Sequence, residues 1–218
     1  MNDIKILEQN EEFVVCIKPQ GVTSEDGSKS GLPTLLAEND KKPLVVHRLD
    51  REVSGVMVLA KNKRMAALIS KQITDHTFQK EYLAVVEGKL EDHGILEDLI
   101  YHDRVKNKTY IVKKERNGVK SAKLEFWRLG VAETPDGVVS LARVKLFTGR
   151  THQIRVQFAS RKHPLMGDRK YGSRLNCSFA LFSRLIELCY FTGKKKVFTA
   201  KLQNIYPWSE FEKEVSEV

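Results

Sequence analysis

The sequence predicts an α+β fold made mostly of strands. Short β-branched apolar runs bounded by Gly, Pro and polar residues recur along the whole chain. Only two segments, one after Asn62 and one after Thr151, space their apolar residues as a helix does. No linker, internal repeat or low-complexity stretch interrupts the 218 residues, so one compact domain over 1–218 is expected.

The first strand is read at 13–18, stopped by Pro19 and turned at Gly21. Residues 23–33 are too polar and Gly-rich for a core, and 35–39 is at most a short helix. The centre of the chain is 44–61. Here an apolar run (Leu44, Val45, Val46) leads into His47, Arg48, Asp50 and Arg51, and a Ser-Gly breaker precedes a second apolar run over 56–60. The polar cluster is thus expected on a loop held between two buried strands, where a side chain is aimed with little freedom. Arg48 and Arg51 flank Asp50 and favour its ionised form. In isolation, Arg-Leu-Asp-Arg reads first as a surface loop with local ion pairs; the anchoring and a second cluster a hundred residues later shift the reading to a site.

Asn62 is a plausible N-cap for a helix to about Thr74, with Met65, Leu68, Ile69 and Gln72/Ile73 on one stripe. Residues 78–87 read as a strand ending at Gly88, with Tyr82 on the face of Lys80 and Ala84. From 101 to 120 the chain turns basic, a hairpin interrupted by Tyr110, Ile111 and Val112. Lys113, Lys114 and Arg116 in it are candidates for phosphate contact. Strands at 122–129 and 138–147 are joined by Thr-Pro-Asp-Gly at 134–137. Thr151 is read as the cap of a helix that places Ile154 and Phe158 on one face and Arg150 and Arg155 near an anion-attracting N-terminus. Pro164 follows that helix, strands at 178–188 and 197–202 close the fold, and the acidic tail from Ser209 is expected to fray.

The formal charge of +9 and pI of about 9.4 call for an anionic partner, and no apolar run approaches the roughly 20 residues that span a bilayer. Cys16, Cys177 and Cys189 form no metal or redox spacing and fit thiols of a reducing compartment. The opening residues have no signal-peptide h-region, and a cytoplasmic protein is expected. His47, His152 and His163 lack a ligand spacing; their expected work is hydrogen bonding, with no metal.

Taken together, the blocks resemble the RluA family of pseudouridine synthases. His-Arg-Leu-Asp-Arg-Glu-Val-Ser-Gly at 47–55 is similar to its signature, and Lys-Glu-Tyr-Leu-Ala-Val-Val-Glu-Gly at 80–88 to its second motif. Thr-Gly-Arg-Thr-His-Gln-Ile-Arg-Val at 148–156, with His-Pro-Leu-Met-Gly-Asp and Tyr-Gly by 172, is similar to its third. Ile-Lys-Pro-Gln-Gly at 17–21 is similar to its opening motif, and the match runs from about 12 to 202. The resemblance implies a long, bent, mostly antiparallel mixed sheet flanked by helices and loops, with a central RNA-binding cleft. It also implies isomerisation of uridine in ribosomal or transfer RNA without cofactor or metal, by a monomer with no obligate protein partner.

By the same resemblance Asp50 is the catalytic aspartate, as nucleophile or as base on a ribose proton. Tyr82 stacks on the uracil and serves as a later base, and Arg155 pairs with Asp50. Arg48 fills the gap left by the everted base, and Ile154 walls the uracil. His47, Arg51 and Arg150 join the RNA-binding set. Departures from the pattern are Val53 for Thr, Gln157 and Phe158 for His-Leu, Phe182 for His and Lys123 for Thr, all expected to alter RNA contacts. The short form of the family, without the separate N-terminal RNA-binding domain, is expected, with recognition from the catalytic body. The competing reading is a catalytically silent RNA-binding or ribosome-assembly factor on the same fold.

Overall fold

The computed structural model describes residues 4–27 and 30–216. In chain order the elements begin β1 (Lys5–Gln9), β2 (Phe13–Lys18), α1 (Leu32–Leu35), β3 (Leu44–Val45), β4 (Ser54–Ala60), α2 (Lys63–Thr74) and β5 (Gln79–Glu87). They continue β6 (His93–Asp103), β7 (Lys108–Val112), β8 (Val119–Thr134), β9 (Gly137–Leu146) and α3 (Gln153–Ala159). The last are β10 (Leu181–Cys189), β11 (Lys195–Thr199) and α4 (Glu212–Ser216). The strand pairing is mixed and mostly antiparallel, with few helices, as the sequence predicts. By contacts the chain divides into two compact units, Met1–Glu81 with Phe182–Lys201 and Tyr82–Leu181 with Leu202–Val218.

In the first unit β1, β2, β4 and β10 lie side by side, β3 also pairs with β4, and β11 pairs with β10. The Ser-Gly expected to break the chain before its second apolar run instead opens β4. Phe182 and Ser183 of β10 pair in parallel with Ser54 and Gly55. Gly55 takes φ +124°, and a Cβ there would lie 2.2 Å from the Ser183 carbonyl oxygen. Only a residue without a side chain lets these two backbones approach so closely. Asn62 caps α2 as expected, its side chain accepting from Met65 N at 2.9 Å. Met65, Ile69 and Gln72 are the buried stripe. The Gln72 amide is satisfied at both ends, donating to Cys189 O and accepting from Cys189 N, each at 2.7 Å, so it ties α2 to β10. The short helix lies at 32–35 rather than 35–39, because Pro33 takes a first-turn position where no N–H is needed.

In the second unit the strand order is β5, β9, β8, β6, β7. β8 and β9 form a long hairpin across Pro135 and Asp136, and β8 begins earlier and ends later than the expected 122–129. The core cluster of Ile100, Ala122 and Val156 joins β6 and β8 to α3, with Ile111 and Tyr171 packed on it. The expected frayed tail does not appear from 209 to 216. Trp208 and Phe211 are buried there, and Glu214 lies against Gly130. Glu210, Glu212 and Lys213 stay exposed while two aromatics anchor the segment.

Gly55→Ala is expected to destabilise the fold by roughly 2–6 kcal/mol, combining a disfavoured φ with overpacking against backbone. Urea denaturation measures this, and a loss below 1 kcal/mol would show that β4 and β10 yield at this crossing.

Candidate active site

The Asp50 loop belongs to the first unit, and its anchors are local. Leu49 and Val53 are buried and peg the loop from either side of Asp50. The Ser24 hydroxyl clamps Leu49, accepting from its N–H at 3.0 Å and donating to its carbonyl at 2.7 Å. Val53 N donates to Asp50 O at 3.0 Å and closes a turn. The Lys-Pro-Gln-Gly segment braces the far side: Gly21 N donates to Arg51 O at 2.9 Å, and Arg51 Nε donates back to Gly21 O at 3.0 Å.

Lys18, the last residue of β2, is completely buried. Its ammonium donates to Pro19 O at 2.9 Å, Val22 O at 2.7 Å and Arg51 O at 3.2 Å, using all three protons on backbone. Burial pushes Lys18 down to about 8, while the negative charges of Asp50 and Glu52 oppose that push. Asp50 itself is half-buried on this braced loop.

Three expected binders of this unit differ in placement. Arg48 is exposed and paired with exposed Glu25, and Arg51 is exposed, so both guanidiniums lie on the surface. His47, expected in the RNA-binding set, is buried. Its Nε2 accepts from Val58 N at 3.1 Å, its ring lies 5.3 Å from that of Phe78, and its Nδ1 meets no partner among the described residues. Burial, with help from the nearby Lys80 cation, pushes His47 down to about 3, so it is neutral and works inside the fold.

Tyr82 and Arg155 belong to the second unit. Tyr82 is buried on β5. Arg155 is buried on α3, and its guanidinium makes a bidentate pair with buried Asp168, Nε to Oδ2 and Nη2 to Oδ1, each at 2.7 Å. The rings of Tyr171 and Phe179 each lie 5.0 Å from that guanidinium. The Asp168 backbone is fixed as well, its carbonyl accepting from Tyr171 N at 3.0 Å and Ser173 N at 3.1 Å. Sequence reasoning quoted Asp168 within a motif and gave it no role. The available signal was one acid among Arg161, Lys162, Arg169 and Lys170, where a carboxylate needs a reason to sit.

The start of α3 also differs from expectation. The N-cap is His152, in the left-handed region at φ +55°, not Thr151. The preceding loop is shaped by Gln153, whose Oε1 accepts from Thr148 Oγ1 at 2.8 Å and Arg150 N at 3.1 Å. Arg155, expected beside the helix start as part of an anion site, is paired with Asp168. Arg150 is exposed and donates to Ser121 O at 3.0 Å, and Ile154 is buried. Gln157 and Phe158, expected to alter RNA contacts, are buried too: Gln157 Nε2 donates to Leu96 O at 3.1 Å and Asp98 Oδ2 at 2.8 Å. Lys113, Lys114 and Arg116 lie exposed between β7 and β8, with Arg116 stacked 4.9 Å over Tyr101.

The key histidines hold loops. Beside His47, His152 Nδ1 meets Tyr171 Oη at 2.9 Å and His163 Nδ1 meets Glu87 O at 2.8 Å. Among the described residues no group of three His, Cys, Asp or Glu side chains is placed to hold a metal ion.

Comparison with known proteins matches residues 12–160 to the family model described as RNA pseudouridylate synthase. An "uncharacterized RNA pseudouridine synthase" of Aquifex aeolicus is 38% identical over 182 residues, which are 78% of this chain and 56% of that protein. The "ribosomal large subunit pseudouridine synthase D" of Borreliella burgdorferi is 32% identical over 184 residues, 78% of this chain and 55% of that protein. The chain therefore spans little more than half the length of these relatives. Among solved structures, human RNA pseudouridylate synthase domain containing 1 shares the fold with a TM-score of 0.79 at 22% identity, over 94% of this chain and 85% of that one.

The buried His47 makes stability depend on pH. A base whose pKa is lowered on folding refuses a proton that the unfolded chain accepts, so its contribution is whole above about 6.5 and declines as pH falls toward about 3. Unfolding free energies from denaturant titrations are expected to drop from pH 7 to pH 5, by at most about 1.4 kcal/mol per pH unit from this residue. His47→Gln should flatten that slope; identical slopes in parent and variant would contradict the assignment.

Proposed function

Because the chain belongs to the RNA pseudouridylate synthase family, we propose that it isomerises uridine to pseudouridine in RNA, with ribosomal or transfer RNA as its substrate. The observation that carries this reading is the family match over 12–160. That span holds the Asp50 loop, Tyr82 and Arg155 together. The buried Lys18 ammonium beneath the loop supports it, since it limits the motion of Asp50 relative to β2.

The chemistry breaks a glycosidic bond at nitrogen and remakes it at carbon, so one ionised carboxylate must reach the sugar. Asp50 is assigned that role, as nucleophile or as base on a ribose proton. The uracil must leave its stack, which costs a few kcal/mol and is offset by an aromatic platform. Tyr82 is assigned to stack on the base and to move a proton in the later step. Arg155 is assigned to orient Asp50, Arg48 to fill the vacated stack and Ile154 to wall the uracil. The exposed Arg51, Arg150, Lys113, Lys114 and Arg116 are assigned to phosphates, consistent with the charge of +9. In this reading the two units make one catalytic domain that acts as a cytoplasmic monomer without cofactor or obligate protein partner.

Asp50→Asn removes charge at nearly constant shape. It is expected to abolish pseudouridine formation, mapped in ribosomal and transfer RNA, and to keep RNA affinity within about tenfold. Turnover above about one percent of the parent rate would remove Asp50 from the chemistry. Replacing Lys113, Lys114 and Arg116 together with Ala is expected to flatten log K against log salt by about two units, at about 0.7 per phosphate contact on single-stranded RNA. An unchanged slope would make the segment a solvated face.

A further inference from the structure

Thr109 is buried on β7, two residues beyond a basic hairpin tip that exposes Arg104 and Lys106. Its register partner on β6 is His102, whose Nδ1 meets Thr109 Oγ1 at 3.0 Å. Thr109 is also bonded to both segments that hold Arg155. Its hydroxyl donates to Thr151 O at 2.8 Å, next to the left-handed His152 that starts α3. Its backbone N–H donates to Tyr171 Oη at 2.7 Å.

Tyr171 closes the circuit. Its hydroxyl accepts from Thr109 and is hydrogen-bonded to His152 Nδ1 at 2.9 Å. Burial raises the phenol above its ordinary range, which keeps its proton in place. Its ring lies on the Arg155 guanidinium, and its N–H is bonded to the carbonyl of Asp168, the carboxylate partner of Arg155. Next to it, Lys170 Nζ donates to Asn107 O at 3.0 Å, a second tie between this segment and the hairpin tip.

We infer that Tyr171 is a positioning residue that acts through Arg155, and that its hydroxyl couples the orientation of the guanidinium to the basic β6–β7 hairpin. RNA phosphates held at Arg104 and Lys106 fix the hairpin, and the Thr109–Tyr171 bond passes that constraint to the face of Arg155. The inference rests on the assignment of Arg155 to the uridine-isomerising site.

The test is single-turnover pseudouridine formation at saturating RNA, with RNA affinity and thermal midpoint measured on the same preparations. Tyr171→Phe keeps the ring and loses the hydroxyl, so the midpoint should hold within a few degrees and affinity within about twofold. The rate should fall about tenfold, the scale of one buried hydrogen bond. In an Arg155→Lys background, which removes the planar fork, Tyr171→Phe should add nothing. Thr109→Ala, which leaves Tyr171 intact, should lower the same rate to a smaller degree. It also serves as the measure if Tyr171→Phe proves unstable. A Tyr171→Phe rate within twofold of the parent, while Arg155→Lys is slow, overturns this inference alone. So does a full additional loss in the Arg155→Lys background. An Arg155→Lys enzyme at the parent rate overturns the assignment of Arg155, and this inference with it.

Discussion

Asp168 and Arg155 pair with both side chains almost completely out of solvent. Neither charge is tolerable alone there: removing one partner of such a pair leaves an uncompensated ion at roughly 3–5 kcal/mol. The surroundings follow from that requirement. Two parallel hydrogen bonds fix the plane of the guanidinium, and Tyr171 and Phe179 supply rings at the same distance from it. The Asp168 carbonyl takes two backbone N–H bonds, so the carboxylate cannot swing away. An arginine held in this way has little orientational freedom left, which is the property that a site-orienting cation needs.

The first unit meets the same difficulty with a different residue type. Lys18 also loses all its solvent, but its three protons go to backbone carbonyls instead of a carboxylate. One of those carbonyls belongs to Arg51, adjacent to Asp50. The carboxylates of Asp50 and Glu52 act on the ammonium through space and keep it from losing more of its basicity. In both units a buried cation is satisfied by a short loop, and the loop is stiffened as a result. His47 shows the alternative: with no acceptor for Nδ1 among the described residues, burial is tolerated because the ring stays neutral.

The positive charge is kept apart from these buried groups. Arg104, Lys106, Lys113, Lys114 and Arg116 are all exposed on or after the β6–β7 hairpin, with cation–π support for Arg116 from Tyr101. Exposed cations are cheap to maintain and act on phosphates over a Debye length, whereas buried ones are rigid and specific. The β6–β7 hairpin joins the two kinds, since Thr109 lies one turn from solvated cations and is bonded to the segments around Arg155.

Local features of the sequence determined the strand at 13–18, the one expected at 78–87 to within a residue, the Asn62 cap with its Met65, Ile69 and Gln72 stripe, and the loop that carries Asp50. Each depends on neighbours within a few residues: a breaker, a cap bond across three positions, or one side-chain period. The family motifs were legible in the same way, because their residues stand in fixed order along the chain. Tertiary structure decided what those residues touch. It gave Arg155 the carboxylate of Asp168 thirteen residues on, and took His47, Gln157 and Phe158 from the expected RNA side into the core. It also made Gly55 the start of a strand rather than a breaker, and seated the tail on Trp208 and Phe211. The partner of a buried group is set by which distant segments meet under close packing and by the need to satisfy every buried charge and polar atom, and no local pattern encodes either.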